Sequence, residues 1–97
     1  MIVLNVTYKC RPGMREQFLD TIKKEGIDVA CRAEAGNIKY DYYMADADAD
    51  ELFLLEKWKD EDALTEHTKQ THYIRLGEFK PDYVTDTIVE KYEIKEF

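Results

Sequence analysis

The sequence predicts an α+β domain: a four-stranded antiparallel sheet with its helices on one face. Three observations carry that reading. Four segments rich in β-branched and aromatic residues alternate in the two-residue rhythm of strands. Amphipathic stretches separate the first strand from the second and the third from the fourth. Only a short acidic turn, Ala45 to Asp50, separates the second from the third. The order is therefore β-α-β-β-α-β. At 97 residues the chain is one domain, and one small enough that a second subunit would add useful burial.

The first strand runs from Ile2 to Lys9. Ile2, Leu4, Val6 and Tyr8 share one face, and Val3, Asn5 and Thr7 the other. Neither face is made for bulk water, so helices are expected to cover one and a partner chain the other. Arg11-Pro12-Gly13 is a turn. A helix follows from about Met14, with Phe18, Leu19, Ile22, Val29 and Ala30 at near-helical spacing. Gly26 is its weak point, with Asp28 restarting it, and Gly36 is a plausible left-handed stop.

The second strand spans Ile38 to about Met44, with Ile38, Tyr40, Tyr42 and Met44 on one face. The third spans Glu51 to Lys59, with Leu52, Leu54, Glu56 and Trp58 together. Asp60 is a good N-cap for a helix over Glu61 to Lys69, which turns His67 inward with Ala63 and Leu64. A break at Gln70-Thr71 precedes a second short helix, His72 to Phe79, stopped by Pro81. The fourth strand runs from Tyr83 to about Ile94, with Val84, Asp86, Ile88, Glu90 and Tyr92 on one face. This order is the ferredoxin-like split βαβ arrangement, a fold that hosts many functions.

Composition narrows the classes. The net charge of −7, with no basic stripe, argues against a nucleic-acid partner. No apolar run approaches the roughly 20 residues of a membrane span, and no signal peptide is evident at the N-terminus. Cys10 and Cys31 lack paired spacing and read as buried thiols, so a cytoplasmic location is expected. The alternating Asp residues of the acidic turn lack the central Gly and the length of a calcium loop. His67 and His72 are five apart across the helix break and show no metal-binding pattern of their own. No metal and no cofactor is expected.

Two stretches resemble a known family. Glu34-Ala35-Gly36-Asn37-Ile38-Lys39-Tyr40 looks like the entry to the second strand in the antibiotic biosynthesis monooxygenase family. Glu56-Lys57-Trp58-Lys59-Asp60-Glu61-Asp62-Ala63-Leu64, then His67, then Thr71-His72-Tyr73, resembles that family's Glu-Trp-His run. The resemblance covers nearly the whole chain. It implies a homodimeric α/β barrel with an apolar pocket between sheet and helices in each subunit. It also implies, for many members, cofactor-free oxygenation of aromatic polyketides or hydroquinones by O2. Others of the family are isomerases, haem degraders or proteins of unknown role. The haem branch is disfavoured, because the position of its helix Trp holds His67 here and that of its later His falls near Gly77.

His67 and His72 are accordingly the expected catalytic residues. An imidazole titrates near neutrality, and removing a phenolic proton makes a substrate a better electron donor to O2. Asn5, Tyr40, Glu56 and Trp58 are the expected substrate-binding residues: Asn5 as a hydrogen-bond donor, Trp58 as a stacking surface, Glu56 as a partner for a histidine or a lysine. Two other readings stay open. An isomerase or lyase of a small polar metabolite could use the same base, with Lys57, Lys69 and Arg75 as the nearby cations for a phosphate. A non-catalytic dimeric ligand-binding protein is the other.

Overall fold

A computed structural model describes residues 1–95. Its elements are β1 (Ile2–Cys10), α1 (Arg15–Lys24), α2 (Ile27–Arg32), β2 (Asn37–Met44), β3 (Glu51–Trp58), α3 (Glu61–Thr68), α4 (Thr71–Phe79), a 3-10 turn (Lys80–Asp82) and β4 (Val84–Glu93). The sheet order is β2-β3-β1-β4 and every pairing is antiparallel. This is the ferredoxin-like arrangement.

The alternation of β1 and β3 dictates the layers. Leu4 sits opposite Glu56, Val6 opposite Leu54 and Tyr8 opposite Leu52, so one apolar face forms across the two central strands. Phe18 and Ile22 of α1, Ile27 and Cys31 of α2, and Leu76 and Phe79 of α4 bury against it. Each large side chain sealed there is worth roughly 1.5–3 kcal/mol. The other face carries Val3, Asn5, Thr7, Phe53, Leu55, Tyr43, Ile88 and Tyr92, and no helix among the described residues covers it.

Two bulges change faces that simple alternation assigns differently. Asn37 pairs with Trp58 but Lys39 with Lys57, so Ile38 is an extra residue. The Asn37 amide pins this bulge by donating to the carbonyls of Lys39 and Lys57, and Ile38 is left exposed rather than beside Tyr40. At the start of β4, Cys10 pairs with Val84 and Lys9 with Asp86. Thr85 is the extra residue, its hydroxyl donating to the Lys9 carbonyl. Val84 therefore enters the core, while Asp86, Ile88 and Tyr92 point to the opposite face.

The glycines also trade roles. Gly26, at φ 68°, is the left-handed joint between α1 and α2. The turn rotates α2 so that Ile27, Asp28 and Cys31 face inward, and the expected Val29 is exposed. Gly36 is not left-handed. It is needed because a Cβ there would lie 2.2 Å from the Cβ of Ala63 on α3. Gly36→Ala should therefore cost about 1–3 kcal/mol by forcing α3 off the sheet. Denaturant unfolding checks this, and an unchanged midpoint would contradict the close approach.

Candidate functional site

A cavity of about 220 Å³ lies between the helix-covered sheet face and helices α3 and α4. That is below the ~300–1,000 Å³ of drug-sized pockets, so it suits a small ligand. Leu4, Val6, Leu64, Leu76 and Val89 form its apolar walls. Glu56, His67, Tyr8, Tyr73, Thr87 and Lys80 place polar groups among them.

Strand geometry builds the first polar pair. Glu56 and Trp58 are two apart on β3 and so share a face. The Trp58 indole N–H donates to Glu56 Oε1 at 3.0 Å. Burial pushes the Glu56 carboxyl up to about 7, against the Trp58 hydrogen bond and with help from the charge of Glu34.

Helix capping builds the second. Asp60 accepts from the Ala63 N–H and starts α3, as the sequence indicates, and about two turns later His67 faces inward. Its ring lies on the Trp58 indole with centroids 4.4 Å apart, and the Tyr73 ring meets it edge-on at 5.1 Å. His67 Nδ1 is 2.7 Å from Glu34 Oε2, and its Nε2 is 3.7 Å from Glu56 Oε1. Burial lowers the His67 pKa; Glu34 opposes this and His72 adds to it. The imidazole is thus neutral at pH 7. With Nδ1–H donated to Glu34, the Nε2 lone pair is left on the Glu56 side, where both residues line the cavity.

Gln70 provides the joint that brings the second histidine back. Its extended backbone (φ −73°, ψ 145°) separates α3 from α4. His72 then sits in the first turn of α4, with Nε2 2.8 Å from the same Glu34 Oε2. Glu34 therefore bridges both imidazoles. Cys31, on α2, completes the group: the ligand atoms of Cys31, Glu34, His67 and His72 lie within 4.8 Å of one another. Burial pushes the Cys31 thiol up to about 12, so it stays protonated. The two histidines thus have the further donors that their spacing alone did not reveal.

The expected site residues divide. His67 and Glu56 line the cavity. His72 does not line it but is joined to His67 through Glu34. Trp58 has no exposed surface and is the platform beneath His67, so it is not available to stack on a substrate. Tyr40 is buried on the same sheet face, its ring edge-on to His67 at 6.1 Å, and does not line the cavity. Asn5 is corrected outright. It lies between Leu55 and Glu90 on the opposite sheet face, away from the cavity. Glu34, Tyr8, Tyr73 and Lys80 are members that the sequence did not single out. Glu34 and Tyr73 had a signal, Glu34 as the first residue of the Gly36 motif and Tyr73 as the last of the Glu-Trp-His run.

The raised Glu56 pKa makes a stability prediction. A carboxyl that is harder to ionise when folded favours the folded state fully below its ordinary 4.5, and that contribution is lost as pH rises through about 7. The gap corresponds to about 3 kcal/mol. Unfolding midpoints measured from pH 4.5 to 8 should fall less in Glu56→Gln than in wild type. Parallel curves would show that Glu56 ionises as readily folded as unfolded.

Comparison with known proteins agrees with this architecture. The family profile described as antibiotic biosynthesis monooxygenase matches residues 1–77. The Bacillus subtilis (strain 168) protein called "Putative monooxygenase YcnE" is 37% identical over 73 residues, which are 75% of each chain. Among solved structures, PA3566 of Pseudomonas aeruginosa superposes with a TM-score of 0.86 at 22% identity, covering 98% of this chain and 94% of that one. Rv0793 of Mycobacterium tuberculosis gives 0.86 at 23% identity, covering 99% and 96%. These two likenesses speak for the fold. The profile match and the Bacillus relative show that the chain belongs to the antibiotic biosynthesis monooxygenase family.

Proposed function

We propose that the protein is a cofactor-independent monooxygenase that oxidises a small aromatic hydroquinone or polyphenol with O2, with His67 as the base. The observation that carries this reading is the neutral, buried imidazole, fixed by Glu34 at Nδ1 and offering Nε2 toward an apolar cavity. His67 takes a phenolic proton. The phenolate gives one electron to O2, and the resulting pair joins as a peroxide on a ring carbon. The O–O bond then breaks. One oxygen stays as a carbonyl, and the other leaves as water with protons drawn from substrate, so the substrate loses two hydrogens and gains one oxygen. Glu56, half protonated near neutrality, is placed to return a proton to the leaving oxygen. Lys80, the one amine lining the cavity, favours the phenolate charge.

A phosphorylated metabolite is a poorer fit. Lys57 lies on the opposite face, Lys69 pairs with Glu66 and Arg75 with Glu25. None of the three lines the cavity.

The reading includes a homodimer formed through the uncovered sheet face, where Tyr43, Ile88 and Tyr92 are each more than 40% exposed. Large apolar groups clustered on one face mark an interaction surface. Size-exclusion chromatography should give a dimer, and Leu55→Glu a monomer; a monomeric wild type would contradict it. Both cysteines are free and buried, which suits a reducing cytoplasm.

An oxygen electrode tests the activity. Metal-stripped protein is offered a panel of hydroquinones and anthrones, with boiled protein as the control for autoxidation. Uptake above that control supports the monooxygenase. No uptake with any member of the panel overturns it and leaves a binding protein.

A further inference from the structure

We propose that Cys31, Glu34, His67 and His72 form a binding site for a divalent transition-metal ion of the zinc class. The four donors come from α2, the loop after it, α3 and α4, and fold into one knot. Their closest separations are 2.7 Å and 2.8 Å, both at Glu34 Oε2, and all lie within 4.8 Å of one another. A tetrahedral ion bonded at about 2.0–2.3 Å holds its ligands about 3.3–3.8 Å apart. The observed separations bracket that range, so Glu34 must move outward by about 0.5 Å and the donors that stand farthest apart must close by up to about 1 Å to hold the ion.

The donor set selects the metal. One sulfur, two imidazole nitrogens and one carboxylate oxygen suit a borderline-soft, four-coordinate ion rather than calcium or magnesium. A thiolate and a carboxylate also cancel the ion's two positive charges. The filled site therefore places no net charge among Trp58, Tyr40 and the other buried neighbours. An imidazole that binds metal through Nδ1 carries its proton on Nε2, and Glu56 Oε1 stands on that side of His67 at 3.7 Å, just beyond hydrogen-bond length. On the solvent side a surface groove brings Asp62 and Glu66 beside Glu34.

Cys31 gives up its thiol proton to solvent as the S–metal bond forms. Each histidine binds through the nitrogen that faces Glu34, His67 through Nδ1 and His72 through Nε2, and keeps its proton on the other ring nitrogen. His67 Nε2 then holds a proton and cannot act as a base. This consequence rests on the oxygenase reading; the metal site itself does not.

Cobalt(II) alone, titrated into metal-stripped, reduced protein, tests the site. The expected result is one ion per chain, the strong visible bands of tetrahedral cobalt and a thiolate-to-cobalt charge-transfer band. Zinc should displace the cobalt and raise the Tm. Cys31→Ser should abolish the charge-transfer band, and His72→Ala should weaken binding by more than about 100-fold. A cooperative thermal transition in each variant shows that it is folded. No saturable binding, no thiolate band, or a band unchanged in Cys31→Ser would overturn the proposal. Because these readouts need no oxygen uptake, they stand or fall separately from the proposed activity. Inhibition of uptake by one equivalent of zinc, reversed by a chelator, tests only the disarmed base.

Discussion

Replacing His67 should lower oxygen uptake by about 10²–10⁴-fold, the usual contribution of a positioned general base. The geometry says why the loss should be large. Nδ1 is committed to Glu34, the ring is held on Trp58, and among the cavity-lining groups no other neutral nitrogen base stands beside Glu56. His67→Ala empties a buried site, so its loss of rate mixes chemistry with packing. His67→Gln separates them, because the amide keeps a polar chain of comparable length yet cannot take a proton. Two further readouts would not move if His67 were merely structural. The wild-type rate should rise with pH through an apparent pKa below 6.5, since burial lowers the imidazole, and that limb should vanish in His67→Gln. Added imidazole should restore part of the rate in His67→Ala. A glutamine variant with wild-type uptake and an unchanged pH profile would remove His67 from the chemistry.

The largest stability loss is expected at Trp58. It has no exposed surface, packs its ring on His67 and satisfies Glu56 through its N–H. Trp58→Ala should cost about 3–5 kcal/mol by opening a cavity that the sheet cannot collapse to fill. For a domain of this size each kcal/mol is worth roughly 4–8 °C in Tm, so the variant approaches unfolding at ordinary temperatures. Trp58→Phe isolates the hydrogen bond. It retains most of the packing but leaves the carboxylate without its indole donor, a loss of about 1–3 kcal/mol that should be felt above pH 7, where Glu56 is ionised, and fade near pH 5. The Glu56 pKa should also rise beyond about 7, because the lost bond was holding it down. Denaturant unfolding at both pH values and infrared titration of the carboxyl measure these effects. A penalty equal at pH 5 and pH 8 would mean that the indole N–H does not stabilise the Glu56 anion.

What the sequence disclosed follows from the range of the interactions. The faces of β1 and β3 were legible because their alternation is unbroken over their whole length. Those of β2 and β4 were legible except at their starts, where one extra residue, Ile38 or Thr85, takes Ile38 and Val84 off the faces that alternation assigns, and only the partner strand reveals it. Asp60 announced its helix because capping is local. Gly36 was misread because a left-handed stop and a close approach ask for the same residue, and Ala63 lies far along the chain. His67 was legible as an inward histidine. Its partner Glu34 was hidden behind a separation of 33 residues. Asn5 was placed in the site on its polarity alone, although the alternation of β1 already set it on the opposite face from Leu4 and Val6.

The carboxylate shared by two imidazoles sits on a seam. Glu34 follows the first β-α unit of the chain, and both histidines belong to the second. Neither half can form the knot alone, so the site comes into being only when the halves dock. Anything bound there is then linked to the cohesion of the whole domain rather than to one loop. Amide hydrogens of α2 and α4, distant in sequence, would gain protection together when the site is filled, and the protein would resist proteolysis as a unit. The price of this arrangement is that the site has no stable half-built state, so wear at either end of the chain reaches it.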